Sequence, residues 1–373
     1  MHKMLGKDYV YLDHNATSVI RPQVVAKMMD CYGASYNPSS IHEGGRKARA
    51  MIDDSRSIIA QYIDCKKDYV FFTSGGTESN NIVLQGGGWD HVFCSTTEHD
   101  SVYRGPVTDY IPVLSSGLLN LDCLEQLLRS TDGKKTLVSV HWANNETGII
   151  QPIAEIGRLV HLCGAFLHVD GVQALGKIPV SFSKNQIDFL SLSAHKIGGP
   201  QGTGALVVKA DKILSPLFFG GGQEKFLRPG TENVAGILGF AEAIKHVDFS
   251  FFSHLRSLHD RLEDELFVLG EQHNRVPIIV GKGQDRLPNT TCLSMPSVSN
   301  QSQLIYFDLK KIGVSIGSAC ASATVKPSHV LQNMGFGQDV IGSSVRISSG
   351  WTTTENDLEK FKNAWKEMFL KNL

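Results

Sequence analysis

Apolar positions along this chain fall into two rhythms. Between roughly residues 20 and 240, short runs rich in aromatic and β-branched residues alternate with stretches whose apolar positions recur three and four apart. "YVFFTS", "HVFCST", "TLVSVHWAN", "AFLHVD", "DFLSLSA" and "GALVVK" read as strands, and they are apolar almost throughout, as strands buried on both faces are. Between them lie helices. Arg21-Pro22 opens one with Val24, Val25, Met28 and Met29 on a single face, proline being well placed in a first turn. After Ser40 a longer helix carries Ala48, Met51, Ile52, Ile58, Ile59 and Tyr62. "PIAEIGRLVHLCG" turns Ile153, Ile156, Leu159 and Val160 inward, with Gly164 as its C-cap. This alternation predicts an α/β fold with a mainly parallel sheet covered on both faces.

After about residue 250 the texture changes. "FFSHLRSLHDRLEDELFVLG" is one long amphipathic helix with Leu255, Leu258, Leu262 and Leu266 at steps of three and four. Shorter strands follow, "VPIIVG", "TTCLSM", "VSIGS" and "SVRISS", with "QLIYFDLKKIG" as a helix among them. A last helix starts near Thr354, with Asp357 three residues on in the manner of a capping box, and buries Leu358, Phe361, Trp365 and Phe369. The expected organisation is a large domain over 12–250 and a smaller α+β domain over 251–373, joined by 1–11.

Charge narrows the function. The 36 Lys and Arg nearly cancel the 37 Asp and Glu, for a formal net charge of −1, so no broad field draws nucleic acid or an anionic membrane. The 7 cysteines are scattered, without C-x-x-C or Cys/His ligand spacing, so no metal site is expected. Isolated thiols fit a reducing compartment. With no apolar signal core at the N-terminus and no run of about 18 apolar residues, the expected location is the cytoplasm.

Ligands of open α/β sheets bind beyond the carboxyl ends of the strands, so the polar residues closing each strand carry the chemistry. "VFFTSGGTESNN" runs strand, glycine turn, helix. Its Gly75 and Gly76 admit a ligand close to the backbone, and the free N–H groups with Thr77 form an anion cradle. A tight turn between strand and helix explains the same residues. "AFLHVDGVQA" ends in Asp170, with Gln173 three residues on: a carboxylate that could hold a protonated ring nitrogen, or a helix N-cap. "DFLSLSAHKIGGP" ends in Ser193, His195 and Lys196, a Schiff-base nucleophile with two phosphate donors, or else a solvated lysine. His99 in "STTEHDS" is a general acid/base or a polar loop residue. Cys320, in "SIGSACASATVKPSHVLQNMG", has no bulky neighbours from Gly317 to Ala323, unlike a structural cysteine; taken alone it still reads more readily as a buried or incidental thiol than as a reactive one. Together these residues make the inventory of a pyridoxal 5′-phosphate enzyme, in which the protein supplies anchor, orientation and charge.

On "YLDHNATS", "NPSSIHEGGRKAR", "FFTSGGTESNN", "TEHDSV", "VHWANNETG", "HVDGVQALGK", "SLSAHKIGGPQGTGAL", "GGGQEKFLRPGTEN", "GSACASA" and "SSVRISSG", the chain resembles the NifS/IscS-like cysteine desulfurases. These are class V, fold-type I pyridoxal phosphate enzymes, and the resemblance implies a seven-stranded sheet in the large domain. It further implies that Lys196 carries the cofactor as a Schiff base. Asp170 would pair with the ring nitrogen and Gln173 with the ring hydroxyl. His99 would stack on the ring and move protons, including the one leaving the Cys320 thiol. Gly76, Thr77, Ser193 and His195 would hold the phosphate, joined by Thr231 from the partner subunit of a homodimer. Arg346, assisted by Asn145, would bind the substrate carboxylate.

The implied reaction converts L-cysteine to L-alanine. Its sulfur is held as a persulfide on Cys320, in a loop that moves, and passes to an acceptor such as an iron–sulfur scaffold protein or a tRNA-thiolation carrier. A selenocysteine lyase, a class V aminotransferase or lyase that does not use Cys320, and a non-catalytic sulfur-transfer partner remain open. The chain departs from the usual pattern at Gly171-Val172, after the strand aspartate, and at Gly199. It also ends soon after its last helix, where some relatives have a longer tail that contacts the scaffold.

Overall fold

The computed structural model of the chain describes residues 8–33, 36–209, 214–317 and 327–372. A short strand β1 (Val10–Tyr11) precedes helices α1 (Pro22–Tyr32) and α2 (Glu43–Tyr62). The alternating region then runs β2 (Val70–Thr73), α3 (Gly76–Gly86), β3 (His91–Ser95), α4 (Asp100–Tyr103), β4 (Asp109–Ile111), α5 (Leu121–Arg129) and β5 (Thr136–His141). It continues with α6 (Ile153–Leu162), β6 (Phe166–Asp170), β7 (Phe189–Ser193), β8 (Gly204–Val208) and α7 (Val234–Lys245). The remainder comprises α8 (Phe249–Gln272), β9 (Thr290–Ser294), α9 (Asn300–Leu309), β10 (Ile312–Gly313), α10 (His329–Asn333), α11 (Gln338–Ser343), β11 (Ser344–Ser348) and α12 (Glu355–Lys371).

Seven strands form one sheet in the order β2-β8-β7-β6-β5-β3-β4. It is parallel from β7 to β4, while β8 runs antiparallel to both β7 and β2. Alternate side chains enter two different cores, which is why the strands read as continuous apolar runs. Val138, Val140, Leu167, Val169, Leu190 and Leu192 face one cluster with α2, α6 and α7. Phe71, Val92, Cys94, Leu137, Phe189 and Leu206 face the other, with α3. A further cluster joins Leu255, Leu262, Phe307, Val345, Ile347 and Trp365 to Val10 and Leu12 at the N-terminus. There β1 pairs in parallel with β10, and β9 pairs antiparallel with β11.

Several sequence expectations need correction. Met29 on α1 and Met51 on α2 are exposed, because on those turns the large core is reached by Val24, Met28 and Ile52. Gly164 does end α6 as a capping glycine, in the left-handed region at φ 71° just after Cys163, with its N–H on His161 O and that of Ala165 on Val160 O. "VPIIVG" forms no regular strand; only Ile279 bridges to Leu293. The three-residue edge strand β4 was invisible to the pattern, since two of its three residues are exposed. Thr354 does cap α12 with a reciprocal bond to Asp357.

Candidate active site

The carboxyl ends of β5, β6 and β7, the amino end of α3 and the start of α4 converge on a cavity of about 460 Å³. Gly76, Thr77, His99, Asn145, Asp170, Gln173, Ser193, His195, Lys196 and Arg346 all line it, brought together from 270 residues of chain. Of the expected site residues, Thr231 lies elsewhere, exposed in the segment before α7. Cys320 and the loop around it lie outside the described residues.

Asp170 is the last residue of β6, and both its oxygens are held. Oδ1 accepts from Val172 N at 3.0 Å, and Oδ2 accepts from Asn80 Nδ2 at 2.8 Å. Asn80 gives its other proton to Ser101 Oγ, also at 2.8 Å. Ser101 N in turn donates to His99 Nδ1 at 3.1 Å, with Ser101 Oγ 2.8 Å from the same nitrogen. Since Nδ1 accepts, neutral His99 carries its proton on Nε2. To receive a proton at Nε2 it must first move its own to Nδ1, against the Ser101 amide.

The turn from β2 to α3 holds Gly75 at φ 153°, ψ −177°, a region that is essentially glycine's own. At Gly76 a Cβ would stand 2.6 Å from Val172 Cγ2, so the glycine lets α3 pack against the turn that follows Asp170. Opposite, Ser193 Oγ is buried without a hydrogen-bond partner among the described residues. His195 Nδ1 meets Thr17 Oγ1 at 3.1 Å. Burial, then the nearby Lys196 and Lys177 cations, depress the His195 pKa to about 4, so it faces the cavity as a neutral ring at pH 7.

Lys196 Nζ donates to the carbonyls of Asn15 and Ala16 at 2.6 and 2.7 Å. Gln173 Nε2 donates to the same Asn15 oxygen at 2.9 Å. Arg346, buried on β11, donates to Asn145 O at 3.0 Å and to Asp13 Oδ1 at 2.5 Å, while its Nε is buried with no hydrogen-bond partner among the described residues. Asn145 thus contributes its backbone carbonyl to holding the arginine.

The sequence reading missed four contributors. Asn15 is a buried hub whose carbonyl holds Lys196 and Gln173 and whose side chain reaches Thr290 at 2.9 Å. Asn80 orients Asp170. Lys177 lies behind Gln173. His141, register partner of Asp170, has Nδ1 2.8 Å from Glu98 Oε1. Burial opposes charge on its ring, but Glu98, helped by Asp170, more than offsets this and raises its pKa. All four stand in segments singled out for their motifs; what was absent locally was any sign of their partners.

These residues fit pyridoxal 5′-phosphate. A buried, doubly anchored carboxylate suits a protonated ring nitrogen, and the orphaned Ser193 hydroxyl with a helix start suits a phosphate. An unpartnered guanidinium nitrogen suits a substrate carboxylate.

Comparison with known proteins agrees. Residues 10–361 match the family described as aminotransferase class-V. The cysteine desulfurase IscS of Dictyoglomus turgidum is 37% identical over 94% of this chain and 92% of its own. Among solved structures, the NifS-like protein of Rickettsia africae has a TM-score of 0.87 at 38% identity, covering 97% of this chain and 99% of that one. The structure of SspA in complex with cysteine has a TM-score of 0.79 at 28% identity, covering 91% and 98%.

Proposed function

This chain belongs to the class-V aminotransferase family, among its pyridoxal phosphate-dependent cysteine desulfurases, and on that premise we propose that it converts L-cysteine to L-alanine and takes the sulfur as a persulfide on Cys320. The observation that carries this reading is the single cavity shared by Lys196, Asp170, Gln173, the Gly76–Thr77 turn and Arg346. Bound pyridoxal 5′-phosphate supplies an aldehyde for amines and a ring that accommodates the charge left when a proton leaves the substrate Cα.

Each residue then has a task. Lys196 is the amine that holds the cofactor. Asp170, fixed by Asn80 and Val172 N, would keep the ring nitrogen protonated. Gly76, Thr77, Ser193 and neutral His195 would bind the phosphate. Arg346 would receive the substrate carboxylate at its Nε, the guanidinium nitrogen that neither Asn145 nor Asp13 takes. His99 contributes its ring and an Nε2–H donor; carrying a proton onward through it requires release from Ser101. The Cys320 thiolate, the only competent nucleophilic form of a thiol, takes the substrate sulfur. The carbon–sulfur bond breaks, its electron pair stays on the substrate Cβ, and protonation there leaves alanine.

The working unit in this reading is a homodimer in the cytoplasm, with Thr231 reaching the partner's phosphate site. Thr231 supports the homodimer, being exposed and apart from the cavity of its own chain. The boundaries 12–250 and 251–373, with 1–11, are proposed for its two domains. The persulfide is passed on for iron–sulfur assembly or thiolation. The test incubates the wild type and Cys320→Ala with L-cysteine in the absence of added thiol. Alanine and protein-bound persulfide are expected from the wild type, and no persulfide from the variant. A wild type that forms none overturns the reading.

A further inference from the structure

Lys177 is a buried amine with no part in the reaction just described. It stands four residues beyond Gln173 and is 3% exposed. Its Nζ donates to Gln173 Oε1 at 2.6 Å and to Asn15 Oδ1 at 2.7 Å. Both partners are neutral amides, and no carboxylate bond or ion pair to Lys177 occurs among the described residues. An amine buried among neutral groups is costly to keep, which calls for an account of what it does there.

We propose that Lys177 is a positioning residue for the cofactor site, acting through Gln173 and Asn15 to present the Gln173 amide to the cavity as a hydrogen-bond donor. A lysine has donors only, so its contact compels Oε1 of Gln173 to face it. At the other end of the amide, the carbonyl of Asn15 compels the NH2 group. The amide is therefore fixed from both sides. One N–H goes to Asn15 O, and the second remains for a ligand, which at this point must offer an acceptor such as the cofactor's ring oxygen.

Asn15 is tied into the same assembly. Its carbonyl also receives Lys196, and its Oδ1 also receives Asn289 Nδ2 at 3.2 Å. Lys177 thus braces both Gln173 and the asparagine whose carbonyl receives Lys196. Burial first, then the Lys196 and Arg346 cations, push the Lys177 pKa well below the usual lysine value. His14 and His195, which also feel Lys177, are themselves pushed down by burial and by neighbouring cations. A neutral amine would still donate to Gln173, and because its lone pair could also accept, it is the Asn15 carbonyl that then keeps the NH2 end of the amide turned away from Lys177.

The inference rests on the reading of the cavity as a pyridoxal phosphate site, and a double-mutant cycle separates the two. Affinity of the apoprotein for pyridoxal 5′-phosphate is measured by fluorescence titration for the wild type, Lys177→Met, Gln173→Ala and the double variant. Lys177→Met is expected to weaken binding about tenfold in the wild type, the scale of one misdirected buried hydrogen bond. It should have little effect in the Gln173→Ala background. The visible absorption maximum of the loaded protein should shift in Lys177→Met in the same sense as in Gln173→Ala. Equal losses in both backgrounds, or unchanged affinity, overturn the inference alone. A wild type that takes up no cofactor overturns the site reading and the inference with it. If Lys177→Met does not fold, Lys177→Gln enters the same cycle.

Discussion

Ser193 Oγ is buried at the end of β7 with no partner among the described residues, and an unsatisfied buried hydroxyl costs about 1–3 kcal/mol. Replacing it should therefore separate stability from binding. Ser193→Ala is expected to raise the unfolding free energy of the apoprotein by about 1 kcal/mol, while weakening its hold on inorganic phosphate and on pyridoxal 5′-phosphate. Chemical denaturation alongside a binding titration reads both, and a variant that loses stability would contradict the assignment of that hydroxyl to a ligand. Ser193, Asp170, His195 and Lys196 were legible in the sequence for one reason: each is a polar group closing an apolar strand. Asn15, Asn80, Lys177 and His141 were not. Asn15 meets Thr290 across 275 positions, and Asn80 meets Asp170 across 90. Such partners share a site only after the sheet has formed, and no local pattern announces them.

Elements with strong periodicity were readable to within a turn. Helix α8 buries Leu255, Leu258, Leu262 and Leu266, as the spacing requires. Elements whose form depends on neighbours were not readable: β4 is an edge added to β3, and 276–281 carries the apolar content of a strand but pairs through one bridge. The same dependence shows in His259, a polar residue on the buried face of α8. Thr291 Oγ1 donates to Glu263 Oε1 at 2.7 Å, so His259 Nδ1 must donate to Thr291, 2.8 Å away, and its Nε2 accepts from Ser349 Oγ at 2.9 Å. Burial, then Arg256 and Arg286, lower its pKa from 6.5 to about 3. The unfolded chain takes up this proton near pH 6.5, whereas the folded one does not until about pH 3. Stability therefore falls as pH drops through that window, by about 1.4 kcal/mol per pH unit for each such group. His259→Gln, able to donate to Thr291 and accept from Ser349, should flatten the fall in melting temperature between pH 6.5 and 4. A slope unchanged from wild type would show that His259 is not held neutral.

At the scale of the whole molecule, the sheet and the C-terminal cluster are joined through the site itself. Asn15, from the segment after β1, bonds Gln173 on one side and Thr290 on the other, and Arg346 on β11 bonds Asn145 from the loop after β5. That apolar residues after about 250 would gather in a cluster of their own was readable from the change in apolar rhythm there. That β1 would pair with β10 was not, because a two-residue strand has no period. What a single chain leaves exposed points outward: Thr231 stands apart from the cavity, although the resemblance gives it a phosphate to bind. If it serves the neighbouring subunit, each site draws Lys196 from one chain and Thr231 from the other. Lys196→Ala removes the amine, and Thr231→Glu sets a carboxylate against the phosphate, so each variant alone should be inactive toward L-cysteine. Refolded together in equal amounts, half the dimers are mixed, and one of the two sites in each mixed dimer carries neither change. Random pairing of a symmetric dimer therefore restores about a quarter of the sites, and alanine formation should return to that level. A mixture that stays inactive would place Thr231 in the same subunit's site or outside the reaction altogether.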